Sequence, residues 1–150
     1  MLRGTVGFGS SAQTRSDYET ELTGLWSVDV GGRLIGNLTL HGRLAHNISD
    51  DGEVEGSATL LMPALSYYFM PVNIYLTGGA GFGEVTRVLI ETDHSSTTTG
   101  IALTLDVGKE WWVSANWGLG IAGRICHIRS GQDADIEYYS GGLLFSATFQ

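Results

Sequence analysis

The chain alternates between apolar residues and small or polar residues over most of its length, and Gly100–Ile128 shows this most clearly. A period of two places neighbouring side chains on opposite faces of a β-strand. The alternation is interrupted once, by the short segment Val113–Asn116. A connection of this length between two alternating runs predicts an antiparallel hairpin.

The same pattern recurs along the chain and predicts eight strands. Short turns and longer polar loops alternate strictly, and both termini fall at the short-turn end. This layout predicts one domain over residues 1–150, with an all-β fold: an eight-stranded antiparallel up-and-down β-barrel. The predicted strands are Leu2–Thr14, Gly24–Leu34, Leu38–His46, Ser57–Phe69, Ile74–Val88, the two strands of Gly100–Ile128, and Glu137–Gln150, with a bulge or edge-like distortion at Pro63.

The composition of the two faces indicates which one is outside. The less apolar face is built from Gly, Ala, Ser and Thr, and lysine occurs only at Lys109, whereas a water-facing exterior would carry many charges. Of the 16 acidic residues, twelve fall in the four longer loops or at their margins. These features favour a transmembrane barrel with its apolar face toward lipid. The alternative is a soluble, lipocalin-like ligand-binding barrel, in which the apolar face lines the interior.

Aromatic residues gather at the short-turn end of the predicted barrel. Amphipathic rings favour the depth of lipid headgroups, so we expect an aromatic girdle there. Its predicted members are Tyr67, Tyr68, Phe69, Tyr75, Trp111, Trp112, Trp117 and Phe149.

Strand parity points a small set of charged residues into the lumen: Asp29, Arg43, Asp106 and Arg124, with His41 nearby. Three further lumen charges lie nearer the short-turn end: Arg3, Arg33 and Glu110. Charges in a narrow interior must be paired, because desolvation is costly. We expect a mutually paired network that plugs the barrel. The alternative is a gate or proton path.

Other candidate sites give weaker signals. His127 and Ser130 could serve a lipid-modifying hydrolase, but they have opposite parity and no carboxylate is clearly placed beside them. His46 and His94 are isolated, and no metal-ligand spacing joins the histidines with Cys126, so we expect neither a metal nor another cofactor. Acidic loop residues could bind divalent cations such as Ca²⁺, although without EF-hand spacing. The candidate Ca²⁺ ligands are Asp50, Asp51, Glu53 and Glu55.

The net charge of −8 argues against binding of nucleic acid.

The segments SYYFMPVNIYLTGGAGFG and VGKEWWVSANWGLGIAGR, with the closing LLFSATF, resemble small bacterial outer-membrane barrels of the OmpA/OmpX/OmpW type. The resemblance implies an outer-membrane location, eight strands and outward-facing long loops. It implies contact with the bilayer and lipopolysaccharide. It also implies recognition by the outer-membrane assembly machinery through a terminal aromatic, here the penultimate Phe149. Because the first residues lack a signal peptide's features, we expect a mature or truncated form of an exported chain.

The expected function is a structural or surface-interaction role without a catalytic site. Three alternatives remain: a narrow channel for small hydrophobic or ionic solutes, an outer-membrane lipid-modifying hydrolase, and the soluble lipocalin-like barrel.

Overall fold

The computed structural model describes residues 1–13, 21–50, 54–89, 94–130 and 137–150. Eight antiparallel strands close into one barrel, because β1 pairs with both β2 and β8. The predicted fold class and strand order are confirmed. In this part of the chain no helix is long and apolar enough to cross a membrane. The strands are β1 Leu2–Gln13, β2 Glu21–Ile35, β3 Leu38–Asp50, β4 Val54–Phe69, β5 Ile74–Leu89, β6 His94–Trp112, β7 Trp117–Ser130 and β8 Glu137–Phe149.

Several strands reach further toward the long loops than the hydrophobic pattern predicts. The prediction of a loop at residues 94–99 is wrong, because β6 already begins at His94 and pairs there with β5. A side-chain hydrogen bond between Thr86 Oγ1 and Thr97 Oγ1, at 3.2 Å, joins the two extended strands. Threonine favours strands, and pairing beyond the apolar zone needs no hydrophobic face. Alternation of apolar residues therefore marks the embedded part of each strand and underestimates its length.

The short turns lie at residues 36–37, 70–73 and 113–116. Each ends in Asn, a residue that tolerates a left-handed backbone, but only Asn73 adopts one there, with φ of 54°. In the first turn the left-handed residue is Gly36, with φ of 53°. Glycine has no Cβ atom and adopts this conformation without a steric penalty, so it occupies a position where other residues would be strained.

Pro63 interrupts the hydrogen bonding of β4 without shifting its register. The pairs Leu61↔Phe82 and Ala64↔Gly79 flank it, and no pair of β4 with β5 is formed between them. Proline has no N–H to donate, which explains the gap. The expected distortion is thus a local loss of pairing and not a bulge. Within the described pairing, the register shift lies in β2, between Arg33 and Ile35.

The outer wall is apolar and the inner wall is polar over most of the barrel. Leu103, Ile121 and Phe145 point outward with 50%, 49% and 58% of their surface exposed. Large apolar side chains cover the outside of all eight strands. A continuous exposed apolar surface marks contact with another apolar phase, and for a closed barrel that phase is the bilayer. The soluble lipocalin-like alternative requires the opposite arrangement of faces and is wrong.

Aromatic side chains mark both edges of this apolar surface. At the loop end, Trp26 lies beside His46 with ring centroids 5.7 Å apart, and His127 stacks on Tyr139 at 4.5 Å. From Trp117 to His127 the strand advances ten residues, about 33 Å at ~3.3 Å per residue. With a strand tilt of about 40°, this spans roughly 25 Å across the membrane, the height of the apolar band in such barrels.

Ile121 lies near the middle of this band, so replacing it by arginine tests the assignment of faces. We expect Ile121→Arg to lower the free energy of unfolding by about 2–4 kcal/mol in lipid vesicles, because the charge is moved into hydrocarbon. Leu22→Arg, at the loop-end margin of the barrel, is the matched control and should cost about 0–1 kcal/mol. Equal costs at the two positions would show that Ile121 does not face the bilayer core.

Candidate functional site

The centre of the lumen contains two ion pairs between neighbouring strands. Arg43 pairs across the sheet with Asp29, and Arg124 with Asp106. Arg43 donates from Nε to Asp29 Oδ1 at 2.8 Å and from Nη2 to Asp29 Oδ2 at 2.9 Å. Arg124 contacts Asp106 in the same forked way, with Nε–Oδ1 at 2.9 Å and Nη2–Oδ2 at 3.0 Å. Forked arginine–carboxylate pairs fix both position and orientation.

Arg43 also joins the two pairs across the barrel. Its Nη2 lies 2.8 Å from Asp106 Oδ2, so one guanidinium contacts carboxylates from β2 and β6. Arg124 Nη2 donates to Ser27 Oγ at 3.1 Å, which ties β7 to β2. The four residues are all buried. The structure therefore brings together the four charges that the sequence predicts to form a network.

His41 lies beside this cluster without a hydrogen bond to it. Its Nε2 is 3.5 Å from Asp29 Oδ2, and neither ring nitrogen has a hydrogen-bonding partner. The ring is almost fully buried. His41 therefore contacts the network but adds no directed bond to it.

Arg3 and Glu110, which the sequence analysis placed nearer the short-turn end and outside the predicted network, extend the network in that direction. Arg3 Nη2 lies 3.1 Å from Glu110 Oε1 and also donates to the Tyr68 hydroxyl. Thr148 Oγ1 accepts from Arg3 Nε at 3.2 Å and donates to Glu110 Oε1 at 2.8 Å. Glu110 lies four residues after Asp106 on β6, so strand parity also points it inward. Parity alone therefore could have predicted its place in the lumen.

Three arginines face three carboxylates in this interior, which makes it formally neutral when His41 is uncharged. Burying charges costs free energy that pairing only partly offsets. The arrangement therefore gives little net stability, but loss of any one member leaves the interior with one uncompensated charge. Such a network fixes how the strands face one another.

An apolar layer fills the lumen between this network and the long loops. Its large members include Leu60, Met62 and Ile128, with at most 3% of their surface exposed. These apolar residues interrupt the otherwise polar inner face. The alternation of apolar and polar residues along each strand does not predict this interruption. Water and ions approaching from the loop end meet this packed apolar surface before they reach the Arg43–Asp106 bridge. The cluster comprises Ala45, Ala58, Leu60, Met62, Val85, Ala102, Cys126, Ile128 and Tyr138.

The predicted aromatic girdle is partly wrong. Tyr68 and Tyr75 point into the lumen, with 8% and 1% exposure, and Trp112 faces the short-turn mouth. The Tyr75 ring centroid lies 4.4 Å from the Arg3 guanidinium, a cation–π contact. These three rings have inward strand parity. The sequence analysis grouped the aromatic residues by the end of the barrel at which they lie and did not apply parity to them. The outward members are Tyr67, Phe69, Trp111, Trp117 and Phe149.

Of the two hydrolase candidates, the structure describes the side chain of His127 and not that of Ser130. His127 lies on the outer wall, where its ring stacks on Tyr139 and its Nε2 has no hydrogen-bonding partner. Ser130 is the last residue of β7, at a position of opposite parity, and its side chain lies outside the described part. Tyr139 donates to Glu137 Oε2 at 2.7 Å, so this carboxylate is engaged elsewhere.

No three His, Cys, Asp or Glu side chains in the described ranges are grouped to hold a metal ion. Of the candidate cation ligands, Asp51 and Glu53 fall outside the described residues, as does the side chain of Asp50, while Glu55 is exposed. The side chain of His94 is also outside them. Cys126 is a free, buried cysteine.

No protein-family model matches the chain, and no curated protein matches its sequence. Solved structures do match. Neisserial surface protein A (NspA) is 12% identical with a TM-score of 0.68, over 99% of this chain and 96% of that one. Ail, the attachment invasion locus protein of Yersinia pestis, solved with the heparin analogue sucrose octasulfate, is 12% identical with a TM-score of 0.62, over 98% and 96%. The N-terminal barrel domain of Pseudomonas aeruginosa OprF is 14% identical with a TM-score of 0.54, over 97% and 96%. The resemblance to small outer-membrane barrels is thus confirmed as a likeness of fold.

The Asp106–Arg124 pair offers a test of the network. We expect Arg124→Ala to lower the free energy of unfolding in lipid vesicles by about 3–5 kcal/mol, because Asp106 loses its forked partner in a buried site. The double variant with Asp106→Ala should cost less than the sum of the single changes, which a double-mutant cycle measures.

The matched control is Arg129→Ala. Arg129 is exposed, and its Nε lies 3.9 Å from Glu137 Oε1, so the loss should stay below about 1 kcal/mol. Strict additivity of the Asp106 and Arg124 changes would show that the two side chains do not interact.

Proposed function

We propose that this protein is a closed, non-conducting barrel of the bacterial outer membrane that acts through the surface at its long-loop end. The observation that carries this proposal is the filling of the lumen at two levels. Arg43 bridges the barrel between Asp29 and Asp106, and the apolar layer covers this bridge on the loop side. An eight-stranded barrel has only enough interior for side chains, and here those side chains contact one another.

The paired network supports closure more than conduction. A pore for ions needs polar groups that exchange partners with a passing solute, but each central arginine is held in a forked pair. The apolar layer offers a passing ion no compensating contact. A channel for hydrophobic solutes would have to cross six buried charged residues. Both channel alternatives are therefore less well supported than a plug.

The loop end is the surface best placed for interaction. Most acidic residues of the chain fall there, and β5 and β6 carry their pairing beyond the apolar band. Structures of similar fold include one described as a surface protein and one described as an attachment protein. The ligand held by Ail is a heparin analogue, a polyanion, whereas the net charge of −8 makes polyanions unfavourable partners for this chain.

The membrane itself is the second proposed partner. The apolar outer wall fits acyl chains, and the aromatic residues at its two edges fit the headgroup zones of the two leaflets, with lipopolysaccharide on the loop side. We propose no enzymatic activity, because His127 is stacked against Tyr139 and Glu137 accepts a hydrogen bond from that tyrosine.

Electrical recording in planar bilayers tests the proposal. We expect the unaltered protein to show no sustained conductance, because its lumen is filled by paired charges and packed apolar side chains. Arg43→Ala removes the side chain that spans the lumen and should give brief openings. A stable open level in the unaltered protein would contradict closure and favour the channel alternative.

A further inference from the structure

Lys109 is the only lysine of the chain, and it lies on the outer wall of the barrel. Its neighbours of the same strand parity, Val107 and Trp111, are outward and exposed. The backbone of Lys109 pairs with Ile74 of β5 and Ile121 of β7, so the side chain starts within the apolar band. Because an ammonium group is costly in hydrocarbon, this side chain must carry its charge to the edge of the band.

The Lys109 side chain reaches toward the short turn at residues 70–73. Its Nζ donates a hydrogen bond to the carbonyl oxygen of Val72 at 2.8 Å and lies 5.7 Å from the ring centroid of Trp111. Lysine commonly lays its apolar stem along the wall and places its ammonium group at the interface. Trp111 belongs to the outward aromatic residues of this end, which favour the depth of lipid headgroups. The ammonium group therefore lies at the headgroup depth of the leaflet on the short-turn side.

No carboxylate of the described residues pairs with Lys109. Its neighbour in sequence, Glu110, points inward and contacts Arg3. An ammonium group has three N–H donors, of which the Val72 carbonyl uses one. Two donors therefore remain for an anion from outside the chain. The outward acidic side chains that the structure describes lie in the loop half of their strands: Glu55, Glu84 and Glu137.

We propose that Lys109 and Trp111 bind the phosphate group of an anionic phospholipid, such as phosphatidylglycerol, in the leaflet on the short-turn side. The two remaining ammonium N–H groups donate to phosphate oxygens, and the indole N–H of Trp111 is a further donor at this depth. The acyl chains lie on the apolar wall beside Ile74 and Ile121. Phosphatidylcholine is the weaker ligand, because its own ammonium group neutralises its phosphate. This proposal deepens the one that the membrane is a partner, and it holds whether or not the lumen conducts.

Native mass spectrometry of the chain released from detergent micelles counts bound phospholipids and tests this proposal. We expect dioleoyl-phosphatidylglycerol to bind about fivefold more tightly than dioleoyl-phosphatidylcholine, the effect of one lysine at a charged membrane surface. Lys109→Gln should remove this preference, whereas Lys109→Arg should keep it because the charge and the donors remain. Trp111→Phe keeps an aromatic ring without the N–H group and should weaken phosphatidylglycerol binding by a smaller factor.

Arg129→Gln is the matched control, because it removes the same charge from an exposed position on the outer wall at the loop end. It should leave the preference unchanged, and far-UV circular dichroism shows whether each variant is folded. Equal binding of the two lipids, or a preference that survives Lys109→Gln, would overturn the proposal. Equal losses in Lys109→Gln and Arg129→Gln would assign the preference to general charge and overturn it too. Full displacement of phosphatidylglycerol by an equal concentration of inorganic phosphate would show that the site takes free phosphate and not a phospholipid.

Discussion

The structure depends on one constraint: the interior of an eight-stranded barrel is narrow and nearly dry, so every charge that points inward must find a partner inside. Asp29 and Arg43 meet this condition as direct neighbours across β2 and β3, and Asp106 and Arg124 do so across β6 and β7. Arg43 then contacts both carboxylates. Pairing of these charges requires one register of the strands, because a shift of one residue would turn them toward lipid.

The outside follows from the same alternation. With the polar set inside, residues such as Leu119 and Phe145 face outward and need an apolar phase around them. The bilayer supplies that phase, and the backbone of a closed barrel has no free edge within it. The filled lumen is the basis of our proposal that the barrel does not conduct. Under this proposal the acidic surface at the long loops is the part of the barrel available for interaction.

Strand number, closure and the direction of the faces could be predicted because each depends on local alternation and on the lengths of connections. Alternation also pointed Asp29, Arg43, Asp106 and Arg124 inward. It could not show that Arg3 reaches Glu110, since this contact depends on long side chains from β1 and β6, which are not neighbours in the sheet.

The aromatic residues show a second limit of sequence interpretation. Tyr68 and Tyr75 share the short-turn end with outward-facing aromatic residues such as Trp117, and only their strand parity distinguishes them. The apolar layer was missed for a related reason. Leu60 and Ile128 have inward parity, but in the sequence each is a single apolar residue on a largely polar face. Only the three-dimensional structure shows that these residues contact one another in one cluster.

The single cysteine provides the most direct measurement of whether the lumen is closed. Cys126 points into the apolar layer with 5% of its surface exposed. In lipid vesicles, a charged methanethiosulfonate reagent should leave this thiol unmodified in the folded protein and modify it fully in denaturant. A Cys126→Ser, Leu22→Cys variant, with its thiol at the exposed loop-end margin, should react rapidly and serve as the control. Rapid modification of Cys126 in the folded, unaltered barrel would show that water and ions enter the lumen and would contradict the closed structure.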